Sequence, residues 1–293
     1  MEFGQVPSLH GVDLKLPPDS ARTEKFLALP RETATRLYIG CPIWASKNWL
    51  GDLYPQGTKP NEFLSVYSER FNTVEVNSTF YNMLGPDRIA HWKNQTPEGF
   101  KFCPKVYRGI TESVDARSMP SLVKEFCENI REFGDRLGLT FAQFSERFSP
   151  HQLDALKNLL RVWPDDIPLA VELRHRDWFQ NHALRDDIVN LFYRNNVASV
   201  ITDTPGRRDV LHLSLTQPKV LVRFQGNECD PTDEERLAAW GERLNKWAVA
   251  ALEEIYFFTH QPGDQNIPKT AMSAEKAFGL PLAKLNVFPK TLL

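Results

Sequence analysis

Thr73-Val74-Glu75-Val76-Asn77-Ser78 alternates apolar and polar side chains with the two-residue period of a strand. Val74 and Val76 then face one side, and Glu75 and Asn77 point together into the space at the strand's C-terminal end. Val171-Glu172-Leu173-Arg174-His175 repeats the arrangement with Glu172 and Arg174, and Val222-Arg223-Phe224-Gln225-Gly226 does so with Arg223 and Gln225. Three such segments far apart in one chain suggest strands whose ends meet around a common site.

Outward from these segments, short runs rich in Val, Ile, Leu and Phe alternate with longer amphipathic stretches, as in βα units on a parallel sheet. Strands are expected near Leu37–Pro42, Thr73–Ser78, Lys101–Tyr107, Leu139–Phe144, Leu169–His175, Ala198–Thr204, Val220–Gly226 and Glu254–His260. A strand and crossover helix need roughly 30 residues, and each step between the strands has room for one such unit. The sixth is short and is broken by Pro205-Gly206, so its helix is the weak one. Helices are expected over Asn61–Arg70, from Ser118 or Ser121 to Phe133, from Ser149-Pro150 onward, over Asn181–Arg194 and Thr232–Leu252, and near Ala271–Gly279. Eight strands with helices between them predict an α/β fold: a single (β/α)8 barrel of the TIM type over residues 37–293, with residues 1–36 as a short N-terminal extension. A doubly wound open sheet would collect its ligand groups at one switch point. Here a polar or ionisable residue ends seven strands.

Composition bounds the function. The 293 residues are 42% hydrophobic and 25% charged with a formal net charge of −2, which is ordinary globular composition. That balance disfavours a polyanion binder held by bulk charge, so nucleic acid is not the favoured partner. No apolar run is long enough for a membrane helix, and Met1–Thr35 lacks the pattern of a signal peptide. The four cysteines, Cys41, Cys103, Cys127 and Cys229, form no CxxC pair and no metal-ligand spacing. A cytoplasmic location with reduced thiols is expected.

Active sites of such barrels lie at the C-terminal ends of the strands. Glu75, Glu172 and Asp203 there are candidate general acids or bases, with His175 assisting. Lys105, Arg174 and Arg223 are candidate clamps for a phosphate or carboxylate, with Asn77 and Gln143 beside them. Trp44, Tyr81 and Trp178 lie in loops on that face, where they stack a substrate or pack a loop core. His175 and His260 with Glu75, Glu172 or Asp203 have donor atoms that suit Zn or Mn, but no tight motif such as HExxH gathers them. No cofactor is required, and a divalent metal stays an alternative. The expected partner is a small anionic ligand such as phosphate or a phosphorylated metabolite. The rival functions are a metal-dependent phosphodiesterase or nuclease and a non-enzymatic ligand-binding or scaffold protein.

Phe71-Asn72-Thr73-Val74-Glu75-Val76-Asn77-Ser78-Thr79-Phe80-Tyr81 resembles the central motif of the YecE-like family, catalogued as domain of unknown function 72. Trp92, Thr96-Pro97, Gly99-Phe100-Lys101-Phe102 and Lys105 resemble its next block, and Val171 to His175 with Trp178 another. Asp203, Arg223 and Gly226 follow in the family's order. The resemblance implies a TIM-type barrel and no established reaction. The chain departs from the family pattern at Cys41-Pro42, Ser145-Glu146, Gln225 and Thr259-His260-Gln261.

Overall fold

The computed structural model describes residues 4–29, 34–112 and 117–283. Eight parallel strands lie where the alternation places them: β1 Arg36–Cys41, β2 Thr73–Val76, β3 Lys101–Pro104, β4 Thr140–Gln143, β5 Leu169–Glu172, β6 Val197–Asp203, β7 Lys219–Gln225 and β8 Glu254–His260. Their order in space is β3-β2-β1-β8-β7-β6-β5-β4. The barrel closes between β3 and β4 through the bridges Phe102↔Leu137 and Lys105↔Phe141. Backbone bonds from Gly138 N to Phe102 O (2.7 Å) and from Val106 N to Phe141 O (2.9 Å) fasten this seam. The chain is therefore a single α/β barrel of the TIM type.

Close strand approach explains one glycine. A Cβ on Gly40 would lie 2.1 Å from the Thr73 carbonyl oxygen, so β1 and β2 could not pair there with a larger residue.

Side chains alternate between two cores. Tyr38, Cys103, Phe141, Ala170, Val200, Leu221 and Phe258 belong to a small buried cluster that fills the barrel. Their neighbours, among them Val74, Val171, Ile201, Val222 and Phe257, join the larger core beneath the helices.

Helix α1 (Ala21–Leu27) lies in the N-terminal extension; α2 (Phe63–Arg70), α3 (Pro86–Asn94), α4 (Met119–Ile130), α5 (Leu153–Val162), α6 (Asp186–Arg194), α7 (Pro231–Ala250) and α8 (Ile267–Phe278) follow the strands. Start signals act as the sequence suggests. Ser149 and Gln152 form a capping box at Pro150, and Asp230 accepts a 2.9 Å bond from Thr232 N at the start of α7.

Three elements differ from expectation. Asn181 and His182 take left-handed φ values of 50° and 55° and turn a small hairpin between Phe179–Gln180 and Ala183–Leu184, so α6 begins later than Asn181. Helix α3 follows β2 although its sequence gave little sign of it: Ile89 is its only buried residue. Between β6 and β7 the described chain has only a short 3-10 turn, Arg208–Val210.

The N-terminal extension seats itself at that gap. Thr23 donates to Leu213 O (2.7 Å), Arg22 pairs with Asp186 on α6, and Asp19 pairs with Arg243 and Lys246 on α7. Helix α1 thus lies between α6 and α7, in the seat of the missing crossover helix. Among the described residues no helix is long and apolar enough to cross a membrane.

Candidate functional site

Strand register gathers the polar ends. β4 and β5 pair Gln143 with Glu172, β6 and β7 pair Thr202 with Arg223, and β7 and β8 pair Gln225 with His260. Around them lies a cavity of about 320 Å³ lined by Lys105, Gln143, Arg174, Thr202, Thr204, Arg223, Gln225 and His260. That size is at the low end for small-molecule sites.

Behind the lining runs a buried charge network. Arg223 Nε donates to Glu75 Oε1 (2.8 Å) and its Nη2 to Glu75 Oε2 (3.3 Å), while Nη1 donates to Glu172 Oε2 (3.1 Å). Arg174 Nε donates to Glu172 Oε1 (2.5 Å), joined there by the Thr202 hydroxyl (2.9 Å), and Gln143 Nε2 donates to Oε2 (2.8 Å). Asn77 Nδ2 donates to Glu75 Oε2 (3.2 Å) and to Pro42 O (2.9 Å). Phe141 lies under the Arg223 guanidinium at 5.5 Å.

The two carboxyls share an electrostatic state. Burial opposes their ionisation, but Arg223 and His260 beside Glu75 hold its carboxyl well below the usual carboxylate range. Arg174 and Arg223 overcome the same burial at Glu172 and hold it down to about 2. Groups so strongly ionised and so fully hydrogen-bonded are poor proton donors or acceptors near neutral pH. Glu75 and Glu172, expected as general acids or bases, are each paired with buried guanidiniums.

The cavity wall presents different chemistry. Lys105 Nζ donates to Gln143 Oε1 (2.8 Å) and lies 4.1 Å from the centre of the Phe80 ring. Burial, with Arg223 and Arg174 nearby, lowers its ammonium pKa to about 8. His260 Nε2 lies 3.3 Å from Glu75 Oε1, and burial lowers the imidazole pKa. With its proton on Nε2, His260 donates to Glu75 and keeps Nδ1 as an acceptor. Gln225 Nε2 is buried at the cavity with no hydrogen-bond partner.

Other expected site residues lie elsewhere. Asp203 points outward from β6, because the inward series on that strand is Ala198, Val200 and Thr202. It pairs with Arg208 and Arg236 (2.9 Å) and accepts from Trp240 Nε1 (2.7 Å), which ties β6 to α7. Trp178 is wholly buried, donating through Nε1 to Phe148 O (2.6 Å) and stacking on Phe148. Trp44 meets Trp92 edge-on beside a separate groove, and Tyr81 is exposed on the edge of Phe80. His175 caps the turn at Asp177 and does not line the cavity. Cys41 is buried and its thiol pKa is pushed up, away from nucleophile behaviour. Thr202 and Thr204 are lining residues that the sequence reading did not single out, whereas Gln225 was expected beside Arg223 and His260 only as a candidate metal ligand. Among the described residues, no three of His, Cys, Asp and Glu gather to hold a metal ion.

A family model described as "Protein of unknown function DUF72" matches residues 38–291. The UPF0759 protein YecE of Escherichia coli is 26% identical over 251 residues, covering 80% of this chain and 89% of that protein. The UPF0759 protein YunF of Bacillus subtilis is 25% identical over 201 residues, covering 65% and 70%. A DUF72 family protein from Enterococcus faecalis superposes with TM-score 0.69 at 21% identity, over 87% of this chain and 99% of that one. One from Thermotoga maritima gives 0.66 at 23% identity, over 84% and 100%.

Proposed function

The chain belongs to the DUF72 family of proteins of unknown function, and on that premise we propose that it is an enzyme acting on a small phosphorylated or carboxylated metabolite. The observation that carries this reading is the cavity wall: Lys105, Arg174 and Arg223 line it, and among the described residues no carboxylate does. The unpaired Gln225 Nε2 adds a neutral donor suited to an anionic oxygen. Glu75 and Glu172 fix the guanidiniums from behind, so the clamp is organised before the ligand arrives. Acid–base chemistry falls to His260, oriented by Glu75, with Lys105 across the cavity.

The test is thermal unfolding with inorganic phosphate, small carboxylates and neutral sugars, on the natural chain and Arg174→Gln. An anion at 100 times its dissociation constant adds about 2.7 kcal/mol, which is several degrees in midpoint for a chain of this size. The shift is expected with anions and lost in Arg174→Gln. Equal shifts with neutral sugars would overturn the reading. His260→Asn should keep the shift and lose conversion of the stabilising compound. A natural chain that binds but converts nothing would be a ligand-binding protein.

A further inference from the structure

We infer that Lys105 is a nucleophile that forms a Schiff base with the carbonyl carbon of a small anionic oxo compound, an assignment that rests on the anion reading of the same cavity. Placement is the first argument. The amine faces the cavity from the end of β3, and it touches one amide oxygen of Gln143 and the face of Phe80. Among the described residues no carboxylate lies within ion-pair distance of it; Glu172 and Glu75 are instead held by the arginines. A buried lysine beside two guanidiniums is the environment that favours the neutral, nucleophilic amine. Its ammonium pKa, lowered to about 8, leaves a substantial neutral fraction at physiological pH.

The neutral nitrogen attacks the carbonyl carbon, and a C–N bond forms as the C=O π pair moves to oxygen. The nitrogen gives up one proton and the oxygen gains one, which yields a carbinolamine. A second proton, supplied by protonated His260 or water, lets the hydroxyl leave as water while the nitrogen lone pair closes the C=N bond. The product is a protonated imine and one water, with no oxidant or reductant consumed. Arg174 and Arg223 would hold the substrate's phosphate or carboxylate with its carbonyl toward Lys105.

The experiment treats the purified full chain with pyruvate and sodium borohydride and maps the reduced adduct by peptide mass. Propionaldehyde, an uncharged carbonyl, serves in parallel. Lys105 should label at least about tenfold faster than exposed Lys124, since a lowered amine pKa enlarges the neutral fraction. Its rate should rise with pH through about 8. Lys105→Arg, which keeps the charge but removes the amine, should lose the label. Labelling no faster than Lys124, with phosphate still stabilising, overturns the inference and spares the anion reading. Labelling by propionaldehyde alone keeps the nucleophile but overturns the anionic substrate, and with it the function proposed above.

Discussion

Arg223 reaches across the chain to Glu75 and Glu172, 148 and 51 residues away, and its single charge lies between two buried carboxylates. Removing it leaves both carboxylates buried with that partner lost, the circumstance in which a broken buried pair is costly. Arg223→Met should lose about 3–5 kcal/mol in urea unfolding at pH 7, and a loss under 1 kcal/mol would mean that Arg174 and Lys105 suffice. Lys105 behaves in the opposite way. Folding favours its neutral form, so the stability it contributes is full above about pH 10.5 and is lost as pH falls through about 8. At pH 7 the folded chain carries a cation it would rather shed. Lys105→Met should therefore stabilise the ligand-free protein at pH 7 by about 1–3 kcal/mol, with the gain gone by pH 10.5. Comparing urea midpoints of the two chains at pH 7 and pH 10.5 checks both the magnitude and its disappearance. A residue that lowers the stability of the empty protein is one whose retention points to work with a ligand.

At the scale of elements, the substitution of α1 for a sixth crossover helix makes the N-terminal extension part of the barrel's outer layer. Asp19 is the pin: its side chain is 1% exposed and faces Arg243, Lys246 and the Trp247 indole. Asp19→Ala should lose about 3 kcal/mol while extension and barrel still unfold in one transition by fluorescence and circular dichroism. A separate early transition would mean that the extension is only loosely docked. The sequence marked the sixth crossover as the weakest, because its step is short and Pro205-Gly206 breaks it, but it did not show that the helix is replaced there by a short 3-10 turn. Nor did it show what packs there, since the contacts of Thr23 with Leu213 and of Arg22 with Asp186 join residues 190 and 164 positions apart. All eight strands were legible for a local reason, short runs rich in Val, Ile, Leu and Phe set between longer amphipathic stretches. Facing was legible at Glu75, Glu172 and Arg223, where apolar neighbours fix the alternation. At Thr202-Asp203-Thr204 three polar residues adjoin, and only the pairing of Thr202 with Arg223 decides that Asp203 turns outward. Trp178 read as a loop aromatic because its partner, Phe148, belongs to a different crossover. His260 stood at a strand end, but its Glu75 partner lies 185 residues away.

Over the whole molecule, these local choices add to one response to acid. Glu75, Glu172 and Asp203 have pKa values held below their ordinary range by buried guanidiniums, so each stabilises the fold above its unfolded value and loses that contribution as pH falls toward its folded value. His212 adds to this from a higher pH. It is buried with Nε2 on Val200 O at 3.1 Å, and burial lowers its pKa to about 4. Folding favours its neutral form, so its contribution is full above about pH 6.5 and fades as pH falls toward 4. All four groups pull in one direction. Unfolding free energy should fall slightly from pH 8 to about 7 as Lys105 takes up its proton, decline gently below 6.5 and fall steeply below about 4.5, where unfolded carboxyls take up protons. His212→Gln should lessen the upper part of that decline, the remainder belonging to His260, whose imidazole pKa burial also lowers, and leave the lower part unchanged. Because these groups are buried, half-molar salt should move the acid limb little, whereas repulsion between surface charges would be screened. A urea series from pH 3 to 8 at two salt concentrations separates the two causes. A limb that shifts strongly with salt would place the acid sensitivity on the surface and remove the buried network as its origin.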